Sequence, residues 1–371
     1  MNKFLVPYNY LPFEFKENKK IFAEWNNLIK KTDFTLGEYN LKFEKLFCKY
    51  SGAKFCISTN NGTDALILAL KSLNIKKNDE VITVTNSFYA TTGAIVAVGA
   101  TPVFADCDSR YQIDVNKIEK LINKRTKAIL PVHWAGAAPD MKKIMDIAKK
   151  HNLYVVEDAC MGIGGKYKSK MPGTIGHIGA YSMHPLKSLN VMGDGGAIVT
   201  DDKKIAKWLY KYRNHGMVNR DKIDFWGVNA RLQPLQAIVA IEGLKKLDLV
   251  IKKRMKNASL YDEKLSKLNP KVIIPNRYSY NIETFSLYMI LCKKRNKLQK
   301  FLHKYGIETK IHYPIPLHLQ KASRSYKYKK GDFPVSEMQA KELLTLPVHQ
   351  YLSIKQIKFT VDKIIEFYQN D

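Results

Sequence analysis

The chain has 371 residues, 45% of them hydrophobic and 26% charged, and 61 basic against 34 acidic side chains give a formal charge of +27. That length suits one large domain with a smaller one. No apolar run approaches the roughly 20 residues that a membrane helix needs, and the start, Met1 to Pro7, has no apolar segment of signal-peptide length. A cytoplasmic protein without a membrane partner is therefore expected. Five scattered cysteines (Cys48, Cys56, Cys107, Cys160, Cys292) without C-x-x-C spacing read as reduced thiols, so neither a disulfide framework nor a zinc site is expected. The lysines are spread along the chain, as in Lys245-Lys246 and Lys252-Lys253, without any nucleic-acid-binding signature. The excess charge is read as a field that concentrates an anionic small substrate, with no nucleic-acid partner.

From about residue 60 to 200, short β-branched runs alternate with helical patterns, which predicts an α/β sheet covered on both faces. Predicted strands are Glu80 to Val84, Thr101 to Ala105, Ala128 to His133, Tyr154 to Asp158, Ala180 to Met183 and Ala197 to Thr200. Helices are predicted over Asp64 to Leu73 and Asp140 to His151, the second capped by Asp140 and basic in its last turn. A long helix is predicted from Pro234 towards residue 268, then a strand over Phe285 to Cys292, a helix over Lys294 to Gly306 and a last amphipathic helix near Ser353 to Gln369. The domain boundary is placed near residue 250, giving a large domain over 1–250 that includes the N-terminal segment and a small one over 251–371.

The most informative residue is Lys187, set between a short apolar strand and the glycine-rich turn Gly193-Asp194-Gly195-Gly196. A primary amine there can form a Schiff base with an aldehyde cofactor. Upstream, the apolar strand Leu153 to Val156 runs into Glu157-Asp158-Ala159. A lysine that carries the cofactor and a buried acid that keeps the ring nitrogen protonated are the pair that pyridoxal 5'-phosphate chemistry needs. An unpaired carboxylate at the end of an apolar strand would cost several kcal/mol. Asp158 therefore needs a partner, which a pyridinium N–H, an arginine or a helix cap could each supply.

Other segments admit two readings. Asn60 to Leu66 enters a helix, and Gly62, Thr63 and Asp64 stand where free amides suit a phosphate; an ordinary N-cap fits too. Phe88, in Thr85 to Thr91 after a strand, is a ring-stacking candidate or simply core. Ser182, five residues before Lys187, could place a hydroxyl on the same phosphate. Gly227 to Leu232 is a polar turn by itself. His312-Tyr313-Pro314-Ile315-Pro316-Leu317-His318 lacks helical spacing and nearby carboxylates, so no metal is expected there.

Together these motifs resemble the DegT/StrS-type family of PLP-dependent sugar aminotransferases, in the aspartate aminotransferase (fold type I) superfamily. The similarity covers nearly the whole chain and follows the family order: Gly62 to Leu66, Asp79 to Ile82, Gly99 to Phe104, Pro131 to His133, Glu157 to Ala159, Ser182 to Lys187, Gly195-Gly196, Asn229-x-Arg231, Gly306 to Thr309, His312 to Pro314 and Leu346-Pro347. The resemblance implies a large domain with a mixed, mostly parallel sheet flanked by helices, and a smaller C-terminal α/β domain. By it, Lys187 carries pyridoxal 5'-phosphate, Asp158 pairs with the ring nitrogen, and Thr63, the backbone at Asp64 and Ser182 hold the phosphate. Phe88 stacks on the ring, and Asn229 reaches the cofactor of a neighbouring subunit, which implies a homodimer with shared active sites. His312 and Tyr313 border the sugar site.

Two positions depart from the family pattern. Met161 stands where the family usually has a glutamine or histidine near the cofactor's ring hydroxyl, and Trp134 to Ala138 lacks a polar residue often found there. The expected reaction is transfer of an amino group from L-glutamate to an anionic keto sugar, a nucleotide-linked keto-deoxysugar, with ping-pong kinetics. Alternatives are a phosphorylated ketone or cyclitol as acceptor, or a non-catalytic regulator on the same fold. A sugar dehydratase of this family would carry histidine at position 187, which is lysine here.

Overall fold

The structure, a computed structural model, describes residues 4–370. Among these the strands are β1 (Phe55–Thr59), β2 (Glu80–Val84), β3 (Thr101–Ala105), β4 (Thr126–Ile129), β5 (Tyr154–Asp158), β6 (Lys166–Tyr167), β7 (Ile178–Ser182), β8 (Gly196–Thr200), β9 (Val272–Ile273), β10 (Asn281–Ile282), β11 (Tyr288–Cys292) and β12 (Leu343–Leu346). Seven of them form one sheet in the order β1-β8-β7-β5-β4-β2-β3. Its pairings are parallel except those that β8 makes with β1 and β7, so β8 alone runs against the rest. Strands covered on both faces read as unbroken apolar runs, and β2 and β8 are buried along their whole length.

The sheet separates two cores. Ile57 and Ile198 point to one with Leu66, Leu70, Ile95 and Ile144, while Cys56, Ala197 and Val199 point to the other with Phe43, Phe47, Ile238 and Val239. The large, mostly parallel sheet flanked by helices agrees with the sequence expectation. A third core gathers Val6 with Ala258, Tyr261, Leu298, Leu302, Ile357 and Ile364 around a three-stranded antiparallel sheet, β12-β11-β9. The Val6 amide donates a hydrogen bond to the Gly306 carbonyl at 3.0 Å.

Several boundaries differ from expectation. The helix predicted from Pro234 to about 268 is two helices, Pro234–Leu244 and Leu247–Leu265. The amide of Lys246 turns to the Gly243 carbonyl at 3.0 Å, a three-residue step that ends the four-residue ladder. Gly243 is a weak helix former, and a Cβ there would lie 2.8 Å from Leu189 Cδ1. The strand predicted from Phe285 begins at Tyr288, and the one predicted to reach His133 ends at Ile129. Asp140 does cap its helix, accepting from the Lys143 amide. Among the described residues no helix is long and apolar enough to cross a membrane.

Candidate active site

In open α/β sheets, ligands sit beyond the carboxyl ends of the parallel strands. Here a cavity of about 610 Å³ lies beyond the ends of β1, β2, β5 and β7. Gly62, Thr63, Asp64, Phe88, Asp158, Met161, Ser182, Lys187, His312 and Tyr313 all line it. Asn229 does not; it is exposed and bridges to Asn214 by its backbone.

One end of the cavity is built for an anion. The helix Gly62–Ser72 starts there, and its first amides have no carbonyl one turn earlier to bond. The side chain of Asn61 caps the helix by accepting from the Asp64 amide at 2.8 Å. That amide, expected to serve a phosphate, is therefore engaged, while those of Gly62 and Thr63 begin the helix. A Cβ at Gly62 would lie 2.7 Å from Ser182 Cβ and 3.1 Å from Cys160 Sγ, so glycine lets the helix end come against the end of β7.

Asp158 closes β5. It is 5% exposed and its carboxylate accepts from the Thr91 hydroxyl at 2.7 Å and from the Cys160 amide at 3.2 Å. Its backbone is fixed by bonds from the His133 amide and to the Pro131 carbonyl, both 2.9 Å. The preceding Glu157 is fully buried on the other side of the strand, where His133 lies 2.7 Å away and the amides of Gly173, Ile175 and Gly176 donate to it. A carboxylate offers about four acceptor positions, so the two donors on Asp158 leave room for one from the cavity.

Lys187 sits on the loop between β7 and β8. Its amide donates to the His184 carbonyl at 2.8 Å, and its own carbonyl accepts from Tyr10 Oη at 3.0 Å and Asn190 Nδ2 at 3.1 Å. Burial pushes the Lys187 pKa down, against the opposing pull of Cys160 and Asp158. A larger share of neutral amine is what a lysine nucleophile needs.

Aromatic residues surround the opening. Phe88 is half exposed at the start of the helix Tyr89–Ala97, with Tyr89 at 5.4 Å and Tyr313 at 6.3 Å between ring centroids. His312 Nδ1 is 2.9 Å from Thr345 Oγ1, and burial together with the charges of Lys187 and Lys310 lowers its pKa to about 4. The carbonyl of Met161 accepts from Thr284 Oγ1 at 2.7 Å and Ser286 Oγ at 2.9 Å. Sequence reasoning missed Tyr8 and Ser286, which line the cavity, and Thr91 and Tyr10, which hold Asp158 and Lys187.

The residues fit pyridoxal phosphate: a helix start beside the Thr63 and Ser182 hydroxyls, a buried carboxylate with spare acceptor capacity, and an amine of lowered pKa, all open on one cavity. The sheet with its single reversed strand and this site define a pyridoxal phosphate-dependent enzyme of fold type I. More narrowly, residues 16–365 match the DegT/DnrJ/EryC1/StrS aminotransferase family, and the chain belongs to it. It is 38% identical over 368 residues to the "Pleiotropic regulatory protein" of Geobacillus stearothermophilus, covering 98% of this chain and 99% of that one. It is also 38% identical over 347 residues to the dTDP-3-amino-3,6-dideoxy-alpha-D-galactopyranose transaminase of Aneurinibacillus thermoaerophilus, covering 93% and 94%. Among solved structures, DesV of S. venezuelae in complex with a ketimine intermediate superposes with a TM-score of 0.95 at 32% identity, over 98% of both chains.

Proposed function

We propose that this aminotransferase moves the amino group of L-glutamate to the ketone of an anionic sugar, a nucleotide-linked keto-deoxysugar in amino-sugar or surface-glycan biosynthesis. The observation that carries the reading is the half-buried Lys187 amine, its pKa lowered, opening on the same cavity as Asp158. The dTDP-sugar transaminase among its relatives supports the substrate class. The formal charge of +27 suits capture of an anion.

When bound, pyridoxal phosphate supplies the electron sink that lets an amino group change carbons. Lys187 would carry the cofactor and, once freed, take the proton from the donor's Cα and return it on the neighbouring side as general base and acid. Asp158 would hold a proton at the ring nitrogen. The amides of Gly62 and Thr63 with the hydroxyls of Thr63 and Ser182 would grip the phosphate, and Phe88 would stack on the ring. His312 and Tyr313 would border the sugar. Asn229, exposed and outside this cavity, would serve the site of a second copy, making a cytoplasmic homodimer with shared sites. The large and small domains would divide near residue 250.

A phosphorylated ketone or cyclitol is the second reading. Met161 and the Trp134 to Ala138 segment leave it open, because neither offers the polar group that the family commonly places there. The deciding experiment is a panel of dTDP- and UDP-linked keto sugars, phosphorylated ketones and keto-cyclitols assayed with L-glutamate. Turnover restricted to the last two groups would overturn the nucleotide-sugar reading.

A further inference from the structure

Asp158 is the end of a hydrogen-bonded series that has one direction. Thr91 Oγ1 lies 2.7 Å from Asp158 Oδ2, and Ser87 Oγ lies 2.6 Å from Thr91 Oγ1. An ionised carboxylate only accepts, and a hydroxyl has a single proton. The Thr91 proton therefore goes to Asp158, and the Ser87 proton goes to Thr91. Thr91 is 0% and Ser87 1% exposed, so water does not compete for either bond. Thr91 stands in the first turn of the helix Tyr89–Ala97, where the helix dipole also favours a negative neighbour.

We propose that Thr91, held in one orientation by Ser87, is a positioning residue that aims the Asp158 carboxylate at the ring nitrogen of the cofactor. This rests on the assignment of Asp158 to that nitrogen made above. The titratable groups that face Asp158 are the Cys160 thiol, on the same loop, and the Lys187 amine; the Glu157 carboxylate is turned to His133. Without Thr91 the carboxylate would lose a fixed contact and its aim, the ring nitrogen would be held less well, and the ring would withdraw fewer electrons. The nitrogen through which Lys187 carries the cofactor would then become more basic.

The test is a spectrophotometric pH titration of the purified holoenzyme beside its kinetics. For Thr91→Val we expect the midpoint of the cofactor's visible band to rise by about one pH unit and kcat to fall roughly tenfold, with KM within about twofold, the size of one lost charge-assisted hydrogen bond. Thr91→Ser should restore both, and Ser87→Ala should move the midpoint the same way by about half as much. A native midpoint and kcat in Thr91→Val, with Asp158→Asn strongly shifted, would overturn the relay alone. A native midpoint in Asp158→Asn would remove the assignment of that acid and the proposal with it. Should Thr91→Val fail to fold, an unshifted Ser87→Ala overturns the relay by itself.

Discussion

The hydroxyl of Tyr10 donates to the carbonyl of Lys187 at 3.0 Å, joining residues 177 positions apart. Tyr10 is 4% exposed, and the Arg254 guanidinium lies 5.2 Å from its ring centroid. Tyr10→Phe keeps the ring and removes the bond, which should cost about 1 kcal/mol of stability. Because Asn190 still holds the same carbonyl, the loss in kcat should be several-fold at most. Thermal melts and steady-state rates check both, and an effect of several orders of magnitude would mean that the tyrosine does chemistry.

Lys187→Ala removes the amine and should lower turnover by at least about 10⁴-fold, since the same group is carrier, base and acid. Excess pyridoxal phosphate should not restore the rate. The checks are the amino-transfer rate and the visible band of the purified protein. Near-native activity would remove the role assigned to this residue.

Gly62→Ala places a methyl 2.7 Å from Ser182 Cβ, where neither the strand end nor the helix end can yield cheaply. Overpacking of that kind costs about 1–3 kcal/mol, and it falls where the phosphate would be held. Weaker retention of cofactor on gel filtration, with a lower melting temperature, is the expected outcome. Unchanged retention would place the phosphate elsewhere.

His349 is 4% exposed, with Nε2 donating to the Pro7 carbonyl at 2.9 Å and Nδ1 accepting from the Tyr351 amide at 3.3 Å. Both nitrogens are thus committed to the neutral ring, and burial lowers its pKa from 6.5 to about 4. The folded pKa lies below the unfolded one, so stability is full above pH 6.5 and is lost as pH falls towards 4, on the order of 2–3 kcal/mol for this group. His349→Gln should flatten that part of a denaturation series between pH 7 and pH 4. An unaltered slope would show that other groups set the acid limit.

Asn229→Ala should leave folding nearly unaltered, because the side chain is exposed, and should weaken cofactor binding in the assembled protein. Native affinity would remove the argument for sites shared between copies. Sedimentation measures the assembly independently.

The strands β2, β3 and β5 were readable to the residue, because each is built on a short apolar run (Val81-Ile82, Val103-Phe104, Val155-Val156) bounded by polar residues or turns. Lys187, Asp158 and the Gly62 turn lie on one cavity, and what joined them in the sequence was the order of motifs shared with the family rather than any one of them alone. The break at Lys245-Lys246 was not readable, since apolar residues continue at helical spacing on both sides of it. The bond from the Asp64 amide to the Asn61 side chain was not legible, because the sequence does not say which way an asparagine will turn. Thr91 and Tyr10 reach Asp158 and Lys187 from 67 and 177 positions away, and a hydroxyl carries no mark of so distant a partner.

Val6 finds its core only among residues 258–368, and Pro7 is held by His349. The segment that brings Tyr10 to the Lys187 carbonyl is thus anchored from both sides, by the lysine loop itself and by residues of the third core. A chain cut before residue 349 would lose the His349 hold on Pro7, although every strand of the seven-stranded sheet ends by Thr200. The support under the lysine loop therefore depends on a part of the chain that the sheet does not need for its strands.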